Sequence, residues 1–397
     1  MVGASPARLG RAAGFAAVAY AFAATMLGTT LPTPLYALYR LRFGFSELMI
    51  TVIFATYAAG VIVALLSFGR LSDAIGRRAA MLPGLALSAL SAVAFLSAHG
   101  LGLLLTGRVL SGLSAGIFTG TATAALVDLA APARRARATL VATVANMGGL
   151  GCGPLVAGLL SQWASSPLRL SFWVDLALLV PAAIGVWAMP EPIAKRGHQS
   201  RRPQALSIPP EVRTTFTRAA LAGFAGFAVL GLFTAVSPAF LGQALGVRSH
   251  AIVGLVVFAV FAASMAGQML LEWVPERVAM SAGCGALIGG MGALALGLAD
   301  SSLALLVLGG VAAGCGQGLS FRAGLAAVNA GSPAARRAEV ASSFFVVAYV
   351  AISIPVIGEA VLAQAAGLRP AGEAFAAGVA ALSAVVLVLL ARSRGPE

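Results

Sequence analysis

Apolar runs of about twenty residues recur along the whole 397-residue chain, and no other feature limits its possible folds so strongly. A helix of about 20 apolar residues crosses the hydrocarbon core of a bilayer, which is roughly 30 Å thick. Apolar residues make up 59% of the sequence and charged residues only 10%, whereas a soluble domain needs about a quarter of its residues charged. The sequence therefore predicts an all-α membrane protein that crosses the bilayer many times.

The apolar runs predict twelve transmembrane spans, numbered 1 to 12 from the N-terminus. Their predicted bounds are 12–34, 47–68, 79–98, 101–127, 139–162, 170–189, 217–239, 250–271, 279–299, 302–328, 339–362 and 372–391. The first run lacks a small-residue cleavage site at the distance a signal peptide needs, so we expect it to remain as span 1.

The positions of the basic residues predict the orientation, because Lys and Arg accumulate in the cytoplasmic segments of inner-membrane proteins. With both termini inside, 19 of the 26 basic residues lie in cytoplasmic segments, five in outer loops, and two, Arg108 and Arg322, within spans. This distribution predicts a protein of the bacterial inner membrane, in contact with membrane lipid, with both termini cytoplasmic. It also explains the net charge of +13 without a nucleic-acid partner.

A polar stretch divides the chain into two halves. Residues 190–216 are rich in proline and basic residues, and we interpret them as a cytoplasmic linker between six-helix bundles at 1–189 and 217–397. The sequence DLAAPARRAR after span 4 is similar to NAGSPAARRA after span 10, at the equivalent place in the second half. The linker and this short repeat together predict two pseudo-symmetric bundles.

The loop after span 2, GRLSDAIGRR, carries a spaced motif that resembles one in the major facilitator superfamily. The family pattern is Gly, three residues, Asp, a basic residue, any residue, Gly and two basic residues, between helices two and three. The matching residues are Gly69, Asp73, Gly76, Arg77 and Arg78. Ala74 stands where the family has a basic residue.

This resemblance implies two six-helix bundles and secondary active transport by alternating access. It also implies that the loop gates the conformational change. Asp73 is expected to touch the second half in one conformation, and Arg77 is expected to reach an acid at the end of span 4, here Asp128. The matching loop of the second half has no acid at that place, so the latch would be one-sided. In the alternative interpretation, the arginines only anchor the loop at the anionic membrane face.

Span 5 contains GLGCGPLVAG, which is similar to the antiporter-associated motif of the same family. The matching residues are Gly149, Gly153, Pro154 and Gly158. We expect the proline to bend the helix and the glycines to permit close contact with the opposite half. The resemblance favours export over uptake, and the alternative is a glycine-rich packing helix with no such role.

Arg108 is the main candidate for proton coupling or substrate binding. It lies roughly 10 Å inside span 4, where a charge is expensive unless it faces a cavity or a partner, and it resembles the helix-four arginine of the family. The alternative is an arginine that extends to the outer interface. Span 1, where many drug/proton antiporters of the family carry an acid, has none. Further candidates for coupling or substrate binding are Glu359, Asp175, Asn146, Gln317 and Tyr36, and candidates for an aromatic wall are Phe118, Phe227 and Phe261.

These features favour a monomeric transporter that uses protons to export a small, largely apolar or cationic molecule, drug-like or a metabolite. The sequence has no ATP-binding loop, and it shows neither a catalytic constellation nor metal-ligand spacing, so we expect no enzyme, cofactor or metal. One alternative is a proton-coupled importer of a sugar or organic acid. An intramembrane enzyme and a membrane receptor or scaffold are the alternatives from other classes.

Overall fold

The computed structural model describes residues 9–68, 71–192, 206–333 and 336–392. These residues form helices and connecting turns, with no β-strand among them, and twelve helical spans are long and apolar enough to cross a membrane. The span bounds are Arg11–Phe43, Glu47–Ser67, Arg77–Leu96, Leu101–Leu129, Pro132–Trp163, Pro167–Ala188, Pro210–Ala235, His250–Leu270, Val278–Ala299, Leu303–Gly331, Arg337–Ala366 and Leu368–Arg392. The predicted fold class and the predicted number of spans are confirmed.

Spans 1 and 7 are interrupted at the same place in the two halves. The helix Arg11–Thr30 is followed by a tight turn at Thr33–Leu35 and a second helix, Tyr36–Phe43, so span 1 continues past its predicted end at residue 34. The helix Arg213–Ala235 is likewise followed by Ser237–Ala239, whose proline lies in a first helical turn. Proline is tolerated there because the first turn has no intrahelical acceptor for its missing N–H. Pro34 and Pro238 therefore lie at helix starts, and the chain continues as helix beyond each of them.

Spans 5 and 11 are also irregular. Span 5 contains a wider, π-helical turn at Val144–Gly148 before Pro154, and span 11 is broken between Arg337–Ala351 and Ile354–Ala366. Such irregular turns inside a membrane occur where the backbone is enclosed by protein or lines a cavity, because lipid cannot satisfy freed backbone groups.

The two bundles of six spans use the same packing pairs. Span 4 packs against spans 1, 2 and 3, and span 10 packs against spans 7, 8 and 9. Close approach depends on glycine, because a Cβ atom at Gly112 would overlap the Tyr57 carbonyl and one at Gly318 would overlap the Ser264 carbonyl. Small residues have this role in membranes because apolar burial gives helices no preference for each other over lipid.

The middle of the predicted linker at 190–216, residues 193–205, lies outside the described residues. The C-terminal part of the linker is already helical, since a short turn at Pro210–Val212 leads directly into the helix that starts at Arg213. Pro210 explains the early start, because its fixed φ suits the first helical position.

Candidate functional site

A cavity of about 620 Å³ lies between the two halves. Spans 1, 2, 4 and 5 line it from the first half, and spans 7, 8, 10 and 11 line it from the second. It extends from Thr30 and Arg108 to Asp128 and Asn329, which lie near the far ends of spans 4 and 10. A cavity of this volume suits a drug-sized molecule. We call it the central cavity. The end of the molecule toward which it extends is called the Asp128 end.

The halves are in contact at the opposite end, which we call the Glu47 end. Spans 5 and 8 pack so closely that a Cβ atom at Gly158 would lie 2.5 Å from the His250 carbonyl oxygen. The backbone N–H of His250 donates to Oε1 of Gln162 at 3.1 Å, and Gln243 donates to the Glu47 carboxylate. These contacts join the first half to the second, so the central cavity is closed at the Glu47 end.

Arg108 lines the central cavity and is only 1% exposed. It donates through Nη1 to the Thr29 carbonyl oxygen at 2.5 Å. Its guanidinium carbon lies 4.6 Å from the ring centroid of Tyr57 and 5.6 Å from that of Phe54, within the range of cation–π attraction. Its Nε has no acceptor among the described residues. Arg108 is therefore held by a carbonyl and two aromatic rings inside the protein, and it does not extend to the outer interface.

Two tyrosines connect the halves across the central cavity. The rings of Tyr57 and Tyr349 meet edge to face with centroids 6.3 Å apart, and their hydroxyl groups interact. Tyr57 also interacts with Thr29, beside Arg108, and Tyr349 interacts with Thr119. The sequence analysis missed this pair. The only sign of it in the sequence was that both tyrosines lie inside apolar spans.

Phenylalanines form much of the cavity wall. Phe227 and Phe261 line it, whereas Phe118 is fully buried against the Phe22 ring and Gly84 within the first half. Phe321 adds to the wall, and its centroid lies 5.1 Å from that of Phe227. The expected aromatic wall therefore includes two of the three predicted phenylalanines.

Asn146 and Arg322 supply polar groups to the central cavity. Asn146 reaches it from the π-helical turn of span 5. Arg322 lies on span 10, closer to the Asp128 end, and donates to the Gln268 carbonyl at 2.5 Å. Its Nη2 is 3.7 Å from a carboxylate oxygen of Glu272, which is too far for a hydrogen bond.

Gln317 and Tyr36 do not line the central cavity. Gln317 is fully buried between spans 7, 8 and 10, where its Oε1 accepts from Ser264 at 2.5 Å and its side chain packs against Gly226. Tyr36 is buried in an apolar cluster with Leu31, and its hydroxyl has no partner among the described residues. Both placements differ from the expected binding role, because packing within one half turns these side chains away from the cavity.

The two predicted intramembrane acids also lie away from the central cavity. Asp175 is buried against span 1, where a Cβ atom at Gly28 would lie 2.7 Å from its Oδ1. Glu359 is 4% exposed and lines a separate cavity of about 550 Å³ at the Glu47 end, together with Glu47 and Gln243. Asp175 Oδ1 and both carboxylate oxygens of Glu359 have no hydrogen-bond partner among the described residues. Among all the described residues, no cluster of metal-ligating side chains occurs.

The loop after span 2 makes an ionic contact with span 4. Arg77 donates through Nε to Oδ2 of Asp128 at 3.0 Å and through Nη1 to the Ser72 hydroxyl at 2.7 Å. Gly69 and the side chain of Asp73 lie outside the described residues. The Arg77 contact places the loop at the Asp128 end of the molecule, where span 4 ends.

Glu191 completes this region, and the sequence analysis missed it. Its carboxylate accepts from the backbone N–H groups of Arg77 at 2.7 Å and Arg78 at 3.1 Å, at the start of span 3. A carboxylate there satisfies free N–H groups and the positive end of the helix dipole. Gly76 makes room, since its φ is +103° and a Cβ atom would lie 2.7 Å from Glu191 Oε2. Glu191 follows span 6, far away in sequence, so only folding reveals the contact.

The glycines of the span 5 motif divide their contacts between the halves. Gly149 and Gly153 approach the Ala23 and Leu27 carbonyls of span 1, in their own half. Gly158 approaches span 8, where the carbonyl of Pro154 also faces Gly254. The expectation that the motif glycines all meet the opposite half is therefore wrong for two of them, because they face span 1.

Comparisons with known proteins agree with this architecture. The sequence-family model of the Major Facilitator Superfamily matches residues 13–356 of the chain. A search of curated proteins found no match. The fold is similar to the crystal structure of the human organic anion transporter MFSD10 (TETRAN), with a TM-score of 0.69 and 19% identity over 96% of this chain and 99% of that one.

The fold is also similar to two inward-facing structures of a bacterial homologue of the human lysosomal transporter Spinster. The unoccupied form has a TM-score of 0.65 and 15% identity over 99% of this chain and 100% of that one. The occupied form has a TM-score of 0.67 and 15% identity over 98% of each chain. At such low identity the likeness concerns the fold alone.

Proposed function

The chain belongs to the Major Facilitator Superfamily and is a secondary transporter, and we propose that it exports a small molecule by proton-coupled alternating access. The observation that carries this proposal is the central cavity, which is lined by both halves, approaches the Asp128 end and is closed at the Glu47 end. A cavity at the boundary of two pseudo-symmetric bundles suits a substrate site around which the bundles rock. Arg108 and Asn146 offer the cavity hydrogen-bond donors.

The proposed orientation places the Asp128 end in the cytoplasm. The loops at this end carry Arg134, Arg135 and Arg137 in the first half and Arg336 and Arg337 in the second. Because cytoplasmic loops are rich in Arg and Lys, the central cavity then faces inward, in a bacterial inner membrane with both termini cytoplasmic. We assign the halves to 1–189 and 217–397, joined by the linker 190–216, in a protein that acts as a monomer.

The direction of transport rests on span 5. Its proline and Gly158 form the contact with span 8 that closes the Glu47 end. Opening this contact would release a substrate taken from the cytoplasm. The resemblance of GLGCGPLVAG to the antiporter-associated motif supports the same direction.

Glu359 is the proposed proton carrier, with Asp175 as the second candidate. Proton coupling needs a group that gains and loses a proton during the cycle. Glu359 lines the cavity at the Glu47 end, where Glu47 and Arg369 are the other charged lining residues. Both of its carboxylate oxygens are buried and have no hydrogen-bond partner among the described residues, so no neighbouring group competes for a proton on this carboxylate. Asp175 is enclosed between spans 1 and 6 and lines none of the described cavities.

The motif loop is the proposed inner latch. The bond between Arg77 and Asp128 joins the start of span 3 to the end of span 4. Asp73, with Gly69 and Gly76 at their fixed spacing, would complete the latch when the Asp128 end closes. This role is proposed from the motif and from the Arg77 contact together.

Inverted membrane vesicles test the direction of transport. A toxicity screen on cells that lack other efflux systems first supplies the compounds, and vesicles with an acidified lumen should then accumulate them. Arg108→Ala should abolish this accumulation, while Arg248→Ala, on an exposed loop residue, should not. Accumulation only in right-side-out vesicles, driven by an inward proton gradient, would contradict export and favour the importer of a sugar or organic acid.

A pair of carboxyl variants tests the coupling residue. Glu359→Gln should retain substrate exchange between the two sides of a vesicle but lose accumulation driven by a proton gradient. Asp175→Asn, which also neutralises a buried acid, should retain both activities. If Asp175→Asn alone uncouples transport from protons, the assignment of Glu359 is wrong.

A further inference from the structure

We infer that the central cavity binds organic anions with a large apolar or aromatic body. This inference rests on the proposed function of the cavity as the transport site and replaces the expected apolar or cationic cargo. The charged residues that line the described cavity are Arg108, Arg322 and Asp128. Asp128 already pairs with Arg77 at 3.0 Å, so the cavity holds two cations and no unpaired carboxylate.

Arg108 is the stronger anion-binding group. Only 1% of its surface is exposed, and no carboxylate pairs with it among the described residues. A carbonyl oxygen and two ring faces stabilise its charge only in part, because they supply partial negative charges. A buried cation usually pairs with an anion. The unpartnered Nε gives a carboxylate or sulfonate a donor that the protein does not use.

Arg322 supplies a second, weaker contact nearer the Asp128 end. Its 3.7 Å separation from the half-exposed Glu272 is longer than a hydrogen bond, so this ion pair is loose. The arginine can therefore attract an incoming anion at the proposed cytoplasmic mouth. A second anionic group of a longer substrate could bind there while the first contacts Arg108.

The remaining wall matches the body of such a molecule. Phe227, Phe261 and Phe321 line the same cavity as the two arginines, and Phe54 lies beside Arg108. Aromatic and aliphatic side chains provide contact area, while a few charged groups fix the orientation of a ligand. A small inorganic anion would leave these surfaces without contact, so the geometry favours an organic one.

Anion export has an electrical consequence. One monovalent anion that leaves while at least one proton enters moves two or more positive charges inward in each cycle. A membrane potential that is negative inside then drives export even at equal pH. A monovalent cation exchanged for one proton would move no net charge, so the two substrate classes respond differently to a potential.

A binding series of matched probes tests the inference on the purified full-length protein. The probes are 1-naphthalenesulfonate, neutral 1-naphthalenesulfonamide and the cation 1-naphthyltrimethylammonium, which share one aromatic body. The sulfonate should bind at least about tenfold more tightly than either of the others, a difference of the size expected for one charge-assisted contact. Equal or weaker binding of the sulfonate, including no binding of any probe, would overturn the inference.

Variants assign the preference to the arginines. Arg108→Gln should abolish the preference for the sulfonate, Arg322→Gln should reduce it, and the exposed-loop control Arg248→Gln should retain it. Each variant is first checked for a monodisperse folded state. Should Arg108→Gln not fold, Arg108→Lys and Arg322→Gln carry the test, and an unchanged preference in both would overturn the inference.

A flux experiment separates this inference from the proposed function. Proteoliposomes loaded with 1-naphthalenesulfonate should release it faster when valinomycin and potassium make the lumen negative at equal pH. Proton-driven export of the ammonium probe instead would overturn anion selectivity and leave the proposed function standing. Tight sulfonate binding without any proton-driven export would support anion selectivity and contradict the proposed function.

Discussion

Spans 4 and 10 occupy equivalent places in the two halves, but their cavity arginines lie at different depths. Both are helices of 29 residues, Leu101–Leu129 and Leu303–Gly331. When their first residues are aligned, Arg108 corresponds to Gly310 and Gly120 corresponds to Arg322. The two levels are about 18 Å apart along a helix, at 1.5 Å per residue.

The surroundings of the two glycines differ. A Cβ atom at Gly310 would lie 2.6 Å from the Phe233 ring and 3.0 Å from Val260, whereas one at Gly120 would meet nothing within 4 Å. Spans 4 and 10 therefore have the same helical backbone. The side chains packed around each helix decide at which depth it can carry a cation. As a result the central cavity is asymmetric, which gives a bound molecule a preferred orientation.

The largest expected effect comes from placing an arginine in the second half at the position that corresponds to Arg108. Gly310→Arg should destabilise the protein by about 3 kcal/mol or more, because it forces an unpaired charge and a long side chain against Phe233. Gly120→Arg, the same change at the open level, should fold normally. Yield of monodisperse protein and thermal unfolding in detergent measure both, and a stable Gly310→Arg protein would show that the two helices are interchangeable.

The second largest effect is expected when the guanidinium group of Arg108 is replaced by an ammonium group. Arg108→Lys should lower 1-naphthalenesulfonate transport at least about tenfold, or about 1.4 kcal/mol, because an ammonium group cannot reproduce the planar contacts with Thr29, Tyr57 and Phe54. Arg322→Lys should change the rate by less than about threefold, since the ion pair of Arg322 with Glu272 is loose. The initial rate of flux is the measurement, and equal effects of the two substitutions would remove the distinction between the levels.

A rescue experiment tests whether the cavity at the level of Arg322, nearer the Asp128 end, can be reached by side chains from both halves. Arg322→Gly should weaken the binding of a long dianion, which reaches both arginines, by roughly tenfold, or about 1.4 kcal/mol, and adding Gly120→Arg should restore most of it. The rescue is expected because Gly120 lines the same cavity and has free space. Equilibrium binding compares the single and double variants. Failure of a well-folded double variant would mean that position 120 does not face the binding site.

The smallest effect is expected where the end of span 4 is made to resemble that of span 10. Asp128→Asn removes the ion pair with Arg77, and the second half has Asn329 and Ala330 in this region. The free energy of unfolding should fall by about 1 kcal/mol or less, because the Asp128 side chain is 29% exposed and solvent screens the pair. Denaturation in detergent measures this change, with the exposed Glu211→Gln as the control. A loss well above this value would show that Asp128 supports more than one contact.

The spans could be predicted from sequence because each apolar run must satisfy its backbone hydrogen bonds within itself. The interruptions could not be located as well, since span 1 was predicted to end at residue 34, where the structure has a new helical turn. A proline excludes a helix interior but permits a helix start. Whether the chain continues depends on the packing beyond it.

Whether a candidate residue lines the central cavity depends on which face of its helix is turned toward the cavity. Asn146 and Gln317 are both lone amides in apolar spans, and nothing local distinguishes them. Gln317 turns into the second half because Gly226 leaves space and Ser264 offers a hydroxyl, whereas Asn146 stays at the cavity. Glu191 was missed for a related reason, since its partners are more than a hundred residues away.

By itself, the sequence determined the number of spans, the two halves and the presence of a cation deep in span 4, since these follow from local hydropathy and from the cost of burying charge. Only the tertiary structure decided that Arg108 meets aromatic rings and a carbonyl instead of an acid, that Asp128 is already paired, and that Glu359 faces a different cavity. Those facts depend on which faces of different helices meet. That choice is made by close contacts at glycine and by long-range hydrogen bonds, which no local pattern specifies.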